Sequence, residues 1–498
     1  MHRPAALCFA LLYACSNPPP VLYPPPFGPD PGNPEAARFF FPTGIAIDPT
    51  STWIVVANSN TDRQYDAGAV YSFRASDLTG YFLCTPAGCP PSPPPVTLAF
   101  PAASLAGKAM IGNFAGPVVL TDGPVVNGAP RMTGYTASRD SGLLNGVVLD
   151  TSNGALSCRV GAGVDPGNDC RAGVIDLGRK ANVEGPYAIV AASIQPTVVE
   201  PGVSPPDRPI AAVLVTSVVP HIDDTQSGLF LTSGHLAALS QDDPTTVLYK
   251  TPVTDRTSTG GGVGSGTMVF DDRTRELILS GCFMRFASAS AGGEATTAKC
   301  STFADASVLR FLSADAGSST NATATRIFDL TSQLHAQDVP AIALGSTDAT
   351  NGLRSLYMTL RAPDGVAQIG LAPDPAFPPI VRSVVTTSSQ PSQLIVLARP
   401  PGSTGTDLVV VTAVATFQTS TTAGKLLILD AGQNRIVGQV EGVGDSPFGI
   451  AQFTPKAGDT SARLVVTVFG SCRISLVEVP YDNPGNAALR ANIGSCPQ

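Results

Sequence analysis

The sequence predicts an all-β protein, a seven-bladed β-propeller carrying long insertions between its strands. Three observations predict it. The 498 residues include Gly 49 and Pro 46, a load of turn formers that helices tolerate poorly. The apolar fraction is 43%, and much of it falls in short, β-branched runs of strand length. Lastly, one short strand pattern, opening after a small or turn residue, recurs seven times along the chain.

The bulk numbers narrow the partners. Only 14% of residues are charged, against roughly a quarter in ordinary soluble proteins. The net charge of -8 supplies no cationic footprint, so nucleic acid is not an expected partner. No stretch approaches the roughly 20 apolar residues that cross a bilayer as a helix.

Taken in order, the chain begins with Met1-His2-Arg3-Pro4, a short cationic start, and residues 5–14 then carry no charge. That is the length of an export h-region, too short to span. It closes on Leu12-Tyr13-Ala14-Cys15, which resembles the bacterial lipobox, although Tyr13 departs from its usual small or branched residue. The resemblance implies that residues 1–14 are a removable signal peptide and that Cys15 is the lipidation site, bearing palmitate-type chains. Each buried CH₂ of such chains contributes about 0.8 kcal/mol to membrane anchoring. Residues 15–38 then read as a tether. Their prolines, from Pro18-Pro19-Pro20 to Pro34, exclude helix and central strand and make a semi-rigid spacer. Ser16 after the Cys resembles the pattern sorted to the outer membrane. A cell-envelope location is therefore expected, facing either the periplasm or the surface, with residues 39–498 as the propeller and a monomeric chain.

The seven copies are Gly68-Ala-Val-Tyr-Ser-Phe, Gly146-Val-Val-Leu-Asp, Gly228-Leu-Phe-Leu-Thr, Ser307-Val-Leu-Arg-Phe-Leu, Gly365-Val-Ala-Gln-Ile, Gly424-Lys-Leu-Leu-Ile-Leu-Asp and Cys472-Arg-Ile-Ser-Leu-Val. An apolar run precedes each, over 53–57, 132–137, 211–216, 277–280, 355–360, 408–414 and 464–469. Earlier strands are legible in Gly44-Ile-Ala-Ile-Asp, Gly266-Thr-Met-Val-Phe-Asp and Gly449-Ile-Ala-Gln-Phe, and later ones over 326–330 and 437–441. Four strands per unit and seven units is a propeller count. The units exceed the roughly 40–50 residues of compact blades, which places insertions in the first four, as at 85–95, 196–209 and 287–302. Strand pairs of this kind also build sandwich arrays. Seven recurrences without a proline-rich break favour one closed ring.

The clearest stretch runs from Gly424 to Pro455. In it a strand ending in Asp430 turns into a second strand, and Gly444-Asp-Ser-Pro447-Phe-Gly449-Ile-Ala451 opens the next unit. This resembles the YVTN-type (YncE-like) β-propeller repeat. Pro42-Thr-Gly44-Ile-Ala46-Ile-Asp-Pro49, followed by Trp53-Ile-Val-Val-Ala-Asn58, matches the start of that repeat. The resemblance is specific at these two ends of the chain and weak between them. A shared Pro-x-Gly-Ile-Ala at both ends is what a ring needs where its first and last blades meet. The single Trp excludes both the WD signature and repeated tryptophan docking.

Ten Cys are present. With Cys8 in the leader and Cys15 lipidated, the rest fall into sequence-local pairs: Cys84 with Cys89, Cys158 with Cys170, Cys282 with Cys300, and Cys472 with Cys496. Eight cysteines allow about a hundred connectivities, and locality makes this set the simplest. The alternative is zinc, but no C-x-x-C knuckle occurs and His number only 4. Disulfides in an oxidising compartment fit better.

The search for chemistry yields little. No G-x-S-x-G elbow, P-loop or H-E-x-x-H appears. Gly260-Gly-Gly-Val-Gly-Ser-Gly266 lacks the Lys of a phosphate loop and leads into a strand, so it reads as a connector. His221-Ile-Asp223-Asp224 places a base beside carboxylates, yet such a set is more often a solvated loop. His235 and His335 are the other histidines of the body. Asp271-Asp272-Arg273-Thr-Arg275 reads as a β-turn. Asp165-Pro-Gly-Asn168-Asp169 has oxygens suited to calcium without the EF-hand spacing, which also makes it a turn. No cofactor, metal ligand or catalytic residue is assigned. The expected function is a binding module for a protein, glycan or small molecule across the propeller face. The alternative is a lactonase- or lyase-type enzyme with its site in the central channel.

Overall fold

The computed structural model describes residues 23–25, 27, 38–85, 89, 94–217, 222–223, 230–231, 235–254, 267–280, 308–317, 322–323, 326–336, 339–361, 363–387, 389–414 and 424–496. The chain is a seven-bladed β-propeller. Each blade is a sheet whose four main strands run antiparallel and in sequence order from the ring axis outward. The innermost strands are Pro42–Ile47, Ala115–Val126, Pro186–Ile194, Thr267–Asp271, Ile342–Thr347, Gln390–Val396 and Pro447–Gln452. Each packs beside the innermost strand of the next blade, and the seventh packs beside the first, so the ring closes.

The burial pattern explains the sequence texture. The second strands Trp53–Asn58 and Leu408–Val414 are apolar without alternation and almost wholly buried. Both faces of such a strand lie against neighbouring blades, so the usual two-residue period vanishes. At the outer edge, Ile380–Thr386 alternates between exposed and half-buried, as a strand with solvent nearby should. Seven apolar clusters fill the gaps between successive blades. The gap between first and second blades holds Trp53, Val55, Val70, Val147 and Leu149. Ile54, Tyr71, Val465 and Leu476 fill the closing gap between seventh and first. Each fully buried aliphatic side chain contributes about 1.5–3 kcal/mol.

That closing gap has a second fastening. The insertion after the first blade's third strand, Gly68–Arg74, crosses to the seventh blade, where Val96–Leu98 adds a fifth strand parallel to Ala488–Ile493. Glu478, fully buried, anchors the crossing. Its carboxylate accepts from the backbone N–H groups of Leu83 and Cys84 at 3.0 Å, from Ser461 Oγ at 2.9 Å and from Arg490 Nε at 2.8 Å. A buried ion pair is worth keeping only when such extra bonds satisfy it. The Cys84–Cys89 disulfide braces the same insertion.

Aspartates at strand ends cap the turns that follow. Asp430 Oδ1 accepts from Gly432 N and Thr406 Oγ1, both at 2.9 Å. Asp48, Asp150 and Asp348 take turn N–H groups in the same way. Asp271 starts a turn through Arg273 N (3.1 Å) and also pairs with Arg354 of the next blade at 2.9 Å.

Three of the four expected disulfides are present: Cys84–Cys89, Cys158–Cys170 and Cys472–Cys496. Cys282 and Cys300 lie outside the described residues, as does Cys15. Six of the seven strand copies coincide with the third strands of their blades. The exception is in the third blade. Its third strand is His235–Ser240, paired with Ile210–Ser217, while Phe230–Leu231 forms a separate two-stranded pair with Ile222–Asp223. The run 229–231 looks more strand-like, but the small residues of Leu236-Ala-Ala-Leu239 suit a strand buried on both faces.

Candidate functional site

Five innermost strands open in one way. Pro42-Thr-Gly-Ile45, Ala115-Gly-Pro-Val118, Pro186-Tyr-Ala-Ile189, Pro391-Ser-Gln-Leu394 and Pro447-Phe-Gly-Ile450 each carry a register shift between their first and fourth residues. Pro is tolerated at or near a strand's start, and a bulge re-aims the side chain beside it. The second residues are Thr43, Gly116, Tyr187, Ser392 and Phe448. All but Gly116 line a cavity of about 190 Å³. Its walls come from five blades, which sets it on the ring axis at the mouth of the channel.

A second equivalent set completes the mouth. The residue just before the strand adopts a positive φ in four blades: Phe41 (49°), Phe114 (55°), Gly185 (51°) and Ser446 (54°). For three of these, the backbone carbonyl accepts from the first residue after the second strand. Ser59 N reaches Phe41 O at 3.0 Å, Arg139 N reaches Phe114 O at 3.3 Å, and Phe469 N reaches Ser446 O at 3.0 Å. Ser59, Arg139 and Phe469 are thereby pinned at the rim, and all three line the cavity. One repeated backbone device thus presents different side chains around one axis.

The lining is aromatic and hydroxylated, with Arg139 its one cation among the described residues. Phe114, Tyr187, Phe448 and Phe469 supply rings, and Phe41 packs on Phe469 with centroids 5.0 Å apart. Several hydroxyls are already engaged. Thr43 Oγ1 donates to Ala115 O at 2.9 Å, and Ser446 Oγ to Asp445 at 3.1 Å. Arg63 and Arg139 both lie over the Phe114 ring, at 5.4 and 5.8 Å. Asp140 neutralises Arg63. Among the described residues, no carboxylate pairs with Arg139. Burial pushes the Tyr187 phenol up to about 12, with the Arg139 charge pulling the other way. Tyr187 is therefore a neutral hydroxyl at physiological pH, beside a guanidinium.

Among the described residues, no His, Asp, Glu or Cys lines this cavity, so the hydroxyls that do line it have no such side chain in the lining to act as their base. Among the described residues, no group of three or more metal-ligating side chains occurs. The sequence candidates sit elsewhere. His221, Asp224 and Gly260–Gly266 lie outside the described residues. His235 is buried within its strand, its N–H donating to Ser217 Oγ at 2.8 Å. Asp165 caps a turn through Gly167 N at 2.8 Å, and Asp169 pairs with Arg171 at 2.6 Å, which holds that carboxyl below its usual range. The motif residues Pro42-Thr-Gly-Ile and Pro447-Phe-Gly-Ile were legible as a blade junction. The variable positions inside them, Thr43 and Phe448, line the cavity. Arg139, Phe114 and Tyr187 carry no motif signal of their own.

No protein-family model matches the chain, and no curated protein matches it. Several solved structures resemble it in outline. The β-propeller domain of Cps50 (Swd1) from Myceliophteria thermophila shares 9% identity at a TM-score of 0.43, covering 88% of this chain and 97% of that one. Hydrazine synthase of Kuenenia stuttgartiensis shares 8% at 0.43, covering 90% and 98%. A functionally unknown protein from Desulfotomaculum acetoxidans shares 10% at 0.40, covering 84% and 95%. Such likenesses carry no functional argument, and the architecture rests on the ring of sheets itself.

Proposed function

We propose that this chain is an exported, lipid-anchored β-propeller of the YVTN type that acts as a binding module at the cell envelope, holding its ligand at the channel mouth. The observation that carries the binding role is the cavity lining: rings, hydroxyls and one guanidinium that has no carboxylate partner among the described residues, gathered from five blades. Binding sites are typically concave, mostly apolar and furnished with a few placed polar groups. Support for the tether comes from the lipobox-like Leu12-Tyr13-Ala14-Cys15 and the proline-rich stretch behind it. The three disulfides suit an oxidising compartment.

Two measurements test the two halves. Palmitate labelling of the full chain in a bacterial host is expected to disappear in Cys15→Ser, and label retained in that variant removes the anchor. For the second half, the chain from Ser16 onward is assayed against a panel of small ligands by thermal shift and against lactones for turnover. A ligand-dependent rise in melting temperature without turnover is expected. Lactone hydrolysis that survives purification contradicts a purely binding role.

A further inference from the structure

Resting on the reading of the channel mouth as a binding site, we propose that its ligand is a small aromatic carboxylate, one ring bearing one acid group. Size sets the first limit. The cavity measures about 190 Å³, and a cavity of about 150 Å³ holds one benzene ring. A single ring with a short substituent fills this space, whereas a nucleotide or a disaccharide would extend out of the mouth into solvent.

Wall chemistry sets the second limit. Four rings face the space, and aromatic groups favour offset or edge-on contact with another ring. A neutral sugar offers several O–H donors and needs acceptors in return. Among the described residues the lining contains no carboxylate and no carboxamide to take those donors in pairs, and Thr43 and Ser446, whose protons go to Ala115 O and Asp445, have none left to give a sugar oxygen. Ser59 and Thr61 hydroxyls bond to each other.

Charge sets the third. Arg139 is exposed, lies over Phe114 and has no carboxylate partner among the described residues. A guanidinium is a planar fork matched to a carboxylate. It also repels the cationic ligands that aromatic cages otherwise take. The neutral Tyr187 hydroxyl stands ready as a further donor to the same acid group. The anion would sit at the rim, between Arg139 and Tyr187, with the ring directed inward toward Phe448.

The test uses calorimetry on the chain from Ser16 onward with four probes: phenylacetate, the two controls benzyl alcohol (its neutral analogue) and acetate, and methyl glucoside as the competing ligand class. Phenylacetate is expected to bind at least about tenfold more tightly than either control, the margin of one charge-assisted bond. Arg139→Gln, at an exposed side chain, is expected to remove that margin. Equal binding of phenylacetate and benzyl alcohol, or no effect of Arg139→Gln, overturns the proposal. Phe448→Ala separates the two ways of failing. If methyl glucoside binds in place of phenylacetate and loses its affinity in Phe448→Ala, the ligand class is wrong and the site stands. If no probe responds to Phe448→Ala, the site itself is wrong.

Discussion

A Cβ placed on Gly449 would meet the carbonyl oxygen of Thr43 at 2.4 Å, and one on Gly44 would meet that of Gly116 at 2.6 Å. These glycines are the third residues of the repeated opening, where one blade's bulge lies directly against the next. Thr467 Oγ1 bridges the same seam, accepting from Gly449 N at 2.7 Å and donating to Thr43 O at 2.8 Å. Gly449→Val is expected to cost about 1–3 kcal/mol through overpacking. Gly80→Ala, where the new methyl meets nothing within 4 Å, should be near neutral, and urea unfolding of both variants checks the pair. Asp348 offers a titration. The Arg382 guanidinium (2.8 Å), with Thr350 N–H (2.9 Å), holds its carboxyl down to about 2. A depressed carboxyl stabilises the fold fully above its unfolded value near 4, and that contribution fades as pH falls through about 2. An NMR titration of the side chain should find the low midpoint and see it return toward the ordinary value in Arg382→Ala. At this scale the glycines were visible in the sequence as motif letters. Arg139 and Tyr187 were not, because a lining residue is defined by what stands opposite it across the ring.

Elements were more legible than residues, for a physical reason. A blade's middle strands are buried on both faces, so Trp53-Ile-Val-Val-Ala and Leu408-Val-Val-Val-Thr-Ala-Val read as unbroken apolar words bounded by turn formers. The third blade hid its strand because His235 opens it and two alanines fill it, while the neighbouring Leu229-Phe-Leu231 is more apolar. The crossing strand Val96–Leu98 left no trace either. A three-residue strand follows a proline-rich insertion there, and its partner lies almost the whole chain away. Disulfides were readable from locality alone, and their separations differ: 5 residues for Cys84–Cys89 and 24 for Cys472–Cys496. The chain-entropy account makes the longer loop worth about 1 kcal/mol more. Replacing each pair by serines and comparing urea midpoints checks this, and equal losses would count against it.

For the whole molecule, closure and the site are one feature. Seven gaps are filled by seven apolar clusters, the crossing strand fastens the last of them, and the converging innermost strands leave a mouth lined by repeated positions. Ring count and strand order could be read from the repeats, whereas the cavity could not, since no repeat unit contains it. The measurement that bears most directly on the central claim is ligand-observed NMR of a fragment library against the chain from Ser16 onward and against a Phe448→Ala, Tyr187→Ala double variant. Binding at the channel mouth predicts that most fragments recognised by the parent chain lose their signal in the variant while its circular dichroism stays unchanged. If a folded double variant keeps the same set of bound fragments, the channel mouth is not the site.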